Sequence, residues 1–205
     1  MKNFPKIIPV FPLTGVIYFP KTNLPLNIFE QRYLNLVNDA YNKNKLMGMI
    51  QSKKVNDSVY KIGCLGKIND YQKSKDGRVL INLAGITRFE IQEEIVNDKL
   101  YREFRVNYEN FTDDLSEEKV EVNPSNLMTK AKVFFKRSGL LLNWMEFEKL
   151  DIKQKINTLA MISPINSEEK QKILEAISTN EKVSALENII SFYLHEGSNN
   201  NQTIQ

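Results

Sequence analysis

The sequence holds one histidine and one cysteine, and each scarcity removes a class of function. A lone His195 cannot supply a multi-histidine metal site or a triad with a second histidine in reserve. Its place near the end of the last helical stretch is one where a cation is favoured. A lone Cys64 cannot form an intrachain disulfide, which fits a reducing compartment, and the cytoplasm is the expected location. Flanked by Ile62-Gly63 and Leu65-Gly66, Cys64 reads as a small core residue. No phosphate-binding Gly-x-x-x-x-Gly-Lys-Ser/Thr loop and no Gly-x-Ser-x-Gly elbow occurs. No apolar run approaches the roughly 18 residues of a membrane span. The N-terminus, interrupted by Pro5, Pro9 and Pro12, reads as no signal peptide. The carboxylate pairs Asp113/Asp114, Glu117/Glu118 and Glu168/Glu169 are sequence neighbours on polar stretches, and read as solvated charges or a helix first turn. The expectation is a protein with no catalytic residues, no cofactor and no metal.

Charge of one sign is also scarce. The net charge is +3. Residues 1–110 carry 17 Lys and Arg against 11 Asp and Glu, whereas residues 111–205 carry 11 against 14. That asymmetry suggests two units with different surfaces, neither with the dense basic patch of a dedicated nucleic-acid binder.

The first half reads as strands rich in β-branched and aromatic residues: Ile7–Phe11, Val16–Phe19, Leu46–Gln51, Lys61–Tyr71, Val79–Ala84, Phe89–Ile95 and Glu103–Tyr108. Asp76-Gly77 suits a type I′ hairpin turn, and Gly63, Gly66 and Gly85 suggest bulges or bends. One helix interrupts them, with Phe29, Tyr33, Leu36, Val37, Ala40 and Tyr41 on its apolar face. Residues 111–123 read as an acidic connector. Asn123-Pro124 then opens a helix carrying Met128, Ala131, Phe134, Phe135, Leu141 and Leu142 on one face. Further helices are expected near 151–162, 167–178 and 180–195, with Pro164 closing the first and Ser167 and Thr179 capping the others. Trp144 is expected to anchor this unit. The chain thus divides into a β domain (1–110), the connector (111–123), a helical bundle (124–196) and a disordered tail (197–205).

Two segments attract functional attention. Phe4, Phe11, Leu13, Tyr18, Phe19, Leu24 and Phe29 crowd the first 30 residues among five prolines, Pro5, Pro9, Pro12, Pro20 and Pro25. Proline removes ladder donors, so part of this region is irregular or at an edge, where apolar segments can form a groove. Tyr18, Phe19, Pro20 and Leu24 are the candidate peptide-binding residues; most of the others are expected in the core. Lys53-Lys54 and Lys73, Lys75 and Arg78, near Tyr60 and Tyr71, read as solvated loops, with a weak RNA surface as the alternative.

An ordered set of motifs goes further than generic β structure. Ile8-Pro-Val-Phe-Pro-Leu-Thr-Gly-Val-Ile-Tyr-Phe-Pro20 and Leu24-Pro-Leu-Asn-Ile-Phe-Glu-Gln-Arg-Tyr33 resemble the opening of the N-terminal domain of the ATP-dependent protease Lon. Leu46–Gln51, Ile62–Ile68 and Gly77–Ile91 follow in the order and spacing of that family, as do Ala160-Met-Ile-Ser-Pro164 and Glu168-Glu-Lys-Gln171 in the helical half. The resemblance implies an α+β protein: an N-terminal PUA-like β pseudo-barrel with one covering helix, followed by a C-terminal helical bundle. It implies a bacterial, cytoplasmic, stand-alone member without the ATPase and peptidase domains. The implied role is a non-catalytic protein- or peptide-binding module, an adaptor for unfolded or tagged proteins whose partners include a protease or chaperone. RNA binding is the alternative, because other PUA-like folds bind RNA.

Overall fold

The computed structural model describes residues 4–53, 58–116 and 123–199, with backbone alone at 197–199. The chain falls into two compact units, Met1–Ser116 and Glu117–Gln205. The first contains strands β1 (Ile7–Leu13), β2 (Asn23–Ile28), β3 (Leu46–Gln51), β4 (Ile62–Lys73), β5 (Val79–Ile95) and β6 (Arg102–Asn107), with helix α1 (Gln31–Lys43) between β2 and β3. The second contains helices α2 (Ser125–Arg137), α3 (Trp144–Glu148), α4 (Ile152–Ile162), α5 (Ser167–Glu175) and α6 (Thr179–Asn199). This is the α+β architecture expected of the sequence, with a β unit first and helices after it.

The strands close on themselves. β1 pairs in parallel with β3 and antiparallel with β6, and β3–β4, β4–β5 and β5–β6 complete the ring antiparallel. The parallel β1–β3 pair needs a long crossover, which the chain through β2 and α1 provides. Closure removes most free edges. β2 lies outside the ring and pairs only with the first half of β5. That explains how Pro25, which lacks an N–H, is accommodated within a strand. Inward positions alternate along the strands, and Ile8, Val10, Ile50, Leu65, Phe89, Phe104 and Val106 form one buried cluster. Each such side chain contributes about 1.5–3 kcal/mol through burial.

Several expected elements differ. The two strands read at Val79–Ala84 and Phe89–Ile95 are one strand of 17 residues, bent rather than broken. Opposite β4 the register runs Leu65↔Thr87 and then Gly66↔Gly85, so Ile86 is bulged out of the ladder. Gly85 is required by a close approach: a Cβ there would sit 2.4 Å from the carbonyl oxygen of Phe19. The strand expected at Val16–Phe19 is absent; the segment runs in irregular conformation with Ile17 to Phe19 buried. The Asp76-Gly77 hairpin forms, but only Gly77 has positive φ (89°). The Ser74 N–H therefore closes a three-residue loop onto Arg78, and no type I′ turn is made. Phe29 precedes α1 and is exposed rather than on its apolar face.

The segment read as the start of a connector is folded. Glu109–Leu115 forms short 3-10 turns with Phe111 and Asp114 buried. Asp114 accepts from the backbone N–H of Arg88 and from its Nε, both at 2.9 Å, and from its Nη2 at 3.0 Å. The guanidinium also stacks 4.5 Å from the Phe111 ring centroid. Arg88 is wholly buried, so these bonds are what make its charge tolerable in the core. The remaining connector residues, 117–122, lie outside the described residues.

In the helical unit, α2 starts one residue later than expected, with Asn123 Oδ1 accepting from the Ser125 N–H. It ends earlier. Gly139 (φ 67°) follows the last turn, with Gly139 N–H on Lys136 O and Leu140 N–H on Phe135 O. This Schellman arrangement terminates the helix before the leucines at 140–142. Asn166 rather than Ser167 caps α5, in a reciprocal capping box with Glu169, and Ser178 rather than Thr179 accepts from the Glu181 N–H at α6. Trp144 packs edge-on against Phe135 and Phe147. α6 continues to Asn199, into the expected tail; the rest of that tail lies outside the described residues.

Candidate functional site

The four residues expected to bind peptide are core residues. Tyr18 is 2% exposed and Phe19 fully buried, while Leu24 is 9% exposed and Pro20 is buried as well. The Tyr18 hydroxyl donates to Leu83 O at 2.7 Å, and burial pushes its pKa far up. Phe19 lies against Gly85, its carbonyl accepting from Thr22 Oγ1 at 2.7 Å. The segment has irregular backbone, as expected, but its aromatic side chains are buried, with Tyr18 hydrogen-bonded to Leu83 and Phe19 against Gly85, both of β5. None of the four is among the lining residues of the two β-unit grooves described below.

An open groove of about 430 Å³ does exist in the β unit, at the end where α1 begins. The end of β1 supplies Pro12 and Leu13, with Thr14 just beyond it; the N-cap and first turn of α1 supply Glu30, Arg32 and Tyr33; Ser52 and Lys53 follow β3. The turn between β5 and β6 supplies Leu100, Tyr101 and Arg102. Parallel pairing of β1 with β3 (Leu13↔Gln51) brings their C-terminal ends together, and antiparallel pairing with β6 (Val10↔Arg102) sets the β5–β6 turn beside them.

That turn is held firmly. The Lys99 N–H donates to Asn97 Oδ1 at 2.9 Å, and Asn97 Nδ2 donates to Glu103 Oε2 at 3.0 Å. Lys99 Nζ reaches Glu103 Oε1 at 2.7 Å. The Tyr101 hydroxyl donates to Asp39 Oδ2 of α1 at 2.6 Å, tying the turn to the helix. Burial, and then the Asp39 carboxylate, push the Tyr101 pKa up to about 12. Leu100, by contrast, remains 61% exposed on this fixed support. A second groove, of about 280 Å³, lies on the other side of Tyr101, between α1 and β1.

Three cations and one carboxylate face the first groove. Arg32 pairs with Glu30 at 2.9 Å and lies 4.6 Å from the Tyr33 ring centroid. Arg102 makes a two-point pair with Glu94 (2.7 and 2.6 Å) and lies 4.9 Å from the Phe104 centroid. The hydrogen bond from Arg102 holds the Glu94 carboxyl below the usual range. Lys53 Nζ sits 5.1 Å from the Tyr60 centroid. Ring contacts of this kind fix the heading of long cationic side chains.

The groove's aliphatic hydroxyls are those of Thr14 and Ser52, and neither histidine nor cysteine is among its lining residues. Among the described residues, no group of three or more His, Cys, Asp or Glu could hold a metal ion. No helix among them is long and apolar enough to cross a membrane. Cys64 is buried in β4, as its neighbours suggested. Of the basic loop residues, Arg78 pairs with Asp76 at 2.6 Å and Tyr71 stacks on Tyr41 at 4.4 Å, away from Lys53. Lys54 lies outside the described residues. Leu100, Tyr101 and Arg102 were missed by sequence reasoning. Their one local signal is a leucine set among Asn97, Asp98 and Lys99 in a turn between strands.

The first unit thus defines a class: a small closed barrel with an added edge strand, a covering helix and a positively rimmed open groove. Solved structures share the fold. The Lon N-terminal domain protein of Xanthomonas campestris matches with a TM-score of 0.65 and 21% identity, over 88% of this chain and 96% of that one. The N-terminal domain of Mycobacterium avium complex Lon protease matches with a TM-score of 0.66 and 16% identity, over 91% and 98%. Among curated sequences, the Lon protease of Dictyoglomus thermophilum is 25% identical over 94% of this chain and 25% of its own length, and that of Bacillus thuringiensis 24% identical over 93% and 25%. The chain therefore spans about a quarter of the length of these curated relatives. The family model of the ATP-dependent protease La (LON) substrate-binding domain matches residues 7–191, and the chain belongs to that family.

Proposed function

We propose that the β unit is a recognition module that binds segments of other protein chains, in the groove beside Leu100 and Tyr101. The observation that carries this reading is the exposed Leu100 on a turn fixed by hydrogen bonds, at the mouth of an open groove. An apolar anchor on a rigid support binds with little ordering cost. The family's description, a substrate-binding domain, supports the same reading. Handing bound chains to a protease or chaperone, as an adaptor in the cytoplasm, is the physiological setting we attach to it.

The test is fluorescence anisotropy with a labelled, reduced and carboxamidomethylated protein that cannot refold, against its native form. The unfolded form should bind and the native form should not. Leu100→Asp should weaken binding by about tenfold, since one buried anchor carries that much, with thermal unfolding unchanged. Equal binding by the variant removes the groove. If only RNA is retained, and release follows salt steeply, the RNA alternative replaces this reading.

A further inference from the structure

We infer that the segments taken by this groove carry a carboxylate beside the apolar side chain that meets Leu100; this deepens the recognition reading and rests on it. The charge of the lining is the basis. Arg32, Lys53 and Arg102 line the groove with Glu30, and Glu94 pairs with Arg102 from outside the lining, which leaves a balance of one positive charge around a leucine. The neighbouring groove is different: Lys43 and Lys99 are matched there by Asp39 and Glu103. The excess is thus a property of the Leu100 side of Tyr101, not of the barrel surface in general.

The two arginines can accept a new carboxylate at little cost. The side chains of Arg32 and Glu30 are 55% and 45% exposed, and those of Arg102 and Glu94 are 31% and 44%. Ion pairs this wet contribute little, so sharing one guanidinium with a ligand loses little. Their ring contacts with Tyr33 and Phe104 keep both guanidinium groups in place whichever carboxylate they meet. A ligand with a lysine beside its apolar residue would meet like charges instead, the kind of mismatch that suppresses wrong partners.

Three labelled peptides of one length separate the possibilities: a central leucine flanked by glutamates, by glutamines or by lysines. Anisotropy should show the glutamate peptide binding about tenfold tighter than the glutamine peptide, the effect of one close charge pair, with the lysine peptide weakest. Raising salt from about 0.1 M to about 1 M, where screening shortens from about 10 Å to about 3 Å, should close most of that gap. Lys53→Gln with Arg102→Gln should close it at low salt too, with Lys53→Gln alone closing part of it should Arg102→Gln impair folding. Equal binding of glutamate and glutamine peptides, both weakened by Leu100→Asp, overturns this inference and leaves the recognition reading intact. No binding by any peptide overturns both. Displacement of the glutamate peptide by an oligouridine at equal concentration overturns the inference in favour of a general polyanion surface.

Discussion

The two units dispose of their apolar residues differently. In the β unit most large apolar side chains are buried, and of the seven exposed ones among the described residues Val96, Phe29 and Leu100 are the most open. In the helical unit Leu141, Met145, Ile177 and Phe192 are all well exposed, although the core built on Leu127, Phe135, Ile156, Leu186 and Ile190 is closed. Long-range strand pairing explains part of this contrast. A ring fixes which face of every strand points inward, so a one-residue slip would expose a whole set of side chains. A helix tolerates an apolar residue outside its stripe at little cost. Exposure is therefore more informative in the barrel, where it has to be supported against the closure rule, than among the helices. The network around Asn97, Lys99 and Tyr101 supplies that support to Leu100.

The largest expected effect sits where the barrel breaks its own apolar rule. Asp114→Ala leaves the fully buried Arg88 without its carboxylate. Loss of one partner from such a pair costs about 3–5 kcal/mol, because the remaining charge is buried and uncompensated. Urea unfolding followed by far-UV circular dichroism should show a midpoint lowered accordingly. A much smaller change would mean that the turns at Glu109–Leu115 open readily and wet the arginine, which would blur the contrast between a closed ring and a looser helical unit. The double change Arg88→Met with Asp114→Leu should recover a large part of the loss, since it removes both charges together.

Much of the fold was legible because its signals are local. β3 was read to the residue, β1 and β6 within two, and four of the five helices of the second unit from their stripes and breakers, α3 being the one not read. The ordered motifs led to the family now shown by its model. The errors share one cause. Pro25 hid β2, because proline argues against a strand unless the strand is an edge, and edge position is a property of the sheet. Val79–Ala84 and Phe89–Ile95 were read as two strands, although Gly85, read as a bulge or bend, marks one within a single long strand. Tyr18, Phe19 and Leu24 were offered as a surface because aromatics among prolines look the same whether they line a groove or plug a barrel. The groove itself joins Arg32, Lys53 and Leu100 from three distant parts of the chain, and no local pattern connects them.

The second effect tests the support of the site. Tyr101→Phe removes the hydrogen bond to Asp39, and a bond to a charged acceptor is worth about 1.5–3 kcal/mol. The pH dependence has a definite sign. The folded-state pKa of Tyr101 is raised to about 12, above the roughly 10 of an unperturbed phenol. A raised pKa means stability fully present below about 10 and lost as pH climbs towards about 12. The wild type should lose stability in that window and the phenylalanine variant should lose less of it. The buried hydroxyls of Tyr18 and Tyr108, whose pKa values are also raised by burial, keep some alkaline loss in both proteins. If the two proteins show the same alkaline profile, the turn bearing Leu100 is not fixed through Tyr101, and its exposure is no better supported than that of the helical leucines.

The smallest effect is expected at the most exposed leucine of all. Leu141 has a relative exposure of 102%, and it follows a helix stop set by Gly139 rather than any support of its own. Leu141→Ser removes apolar surface that is equally wet in the folded and unfolded chain, so thermal unfolding should move within the equivalent of about 0.5 kcal/mol. Binding of the glutamate-flanked peptide should also be unchanged, whereas Leu100→Asp, at a less exposed leucine, should weaken it about tenfold. That pairing of outcomes separates exposure from function: the leucine with fewer contacts is inert, and the one held in place by hydrogen bonds carries the binding. A drop in peptide affinity for Leu141→Ser equal to that for Leu100→Asp would instead place recognition on the helical unit, and would make exposed area rather than fixed support the better guide to the site.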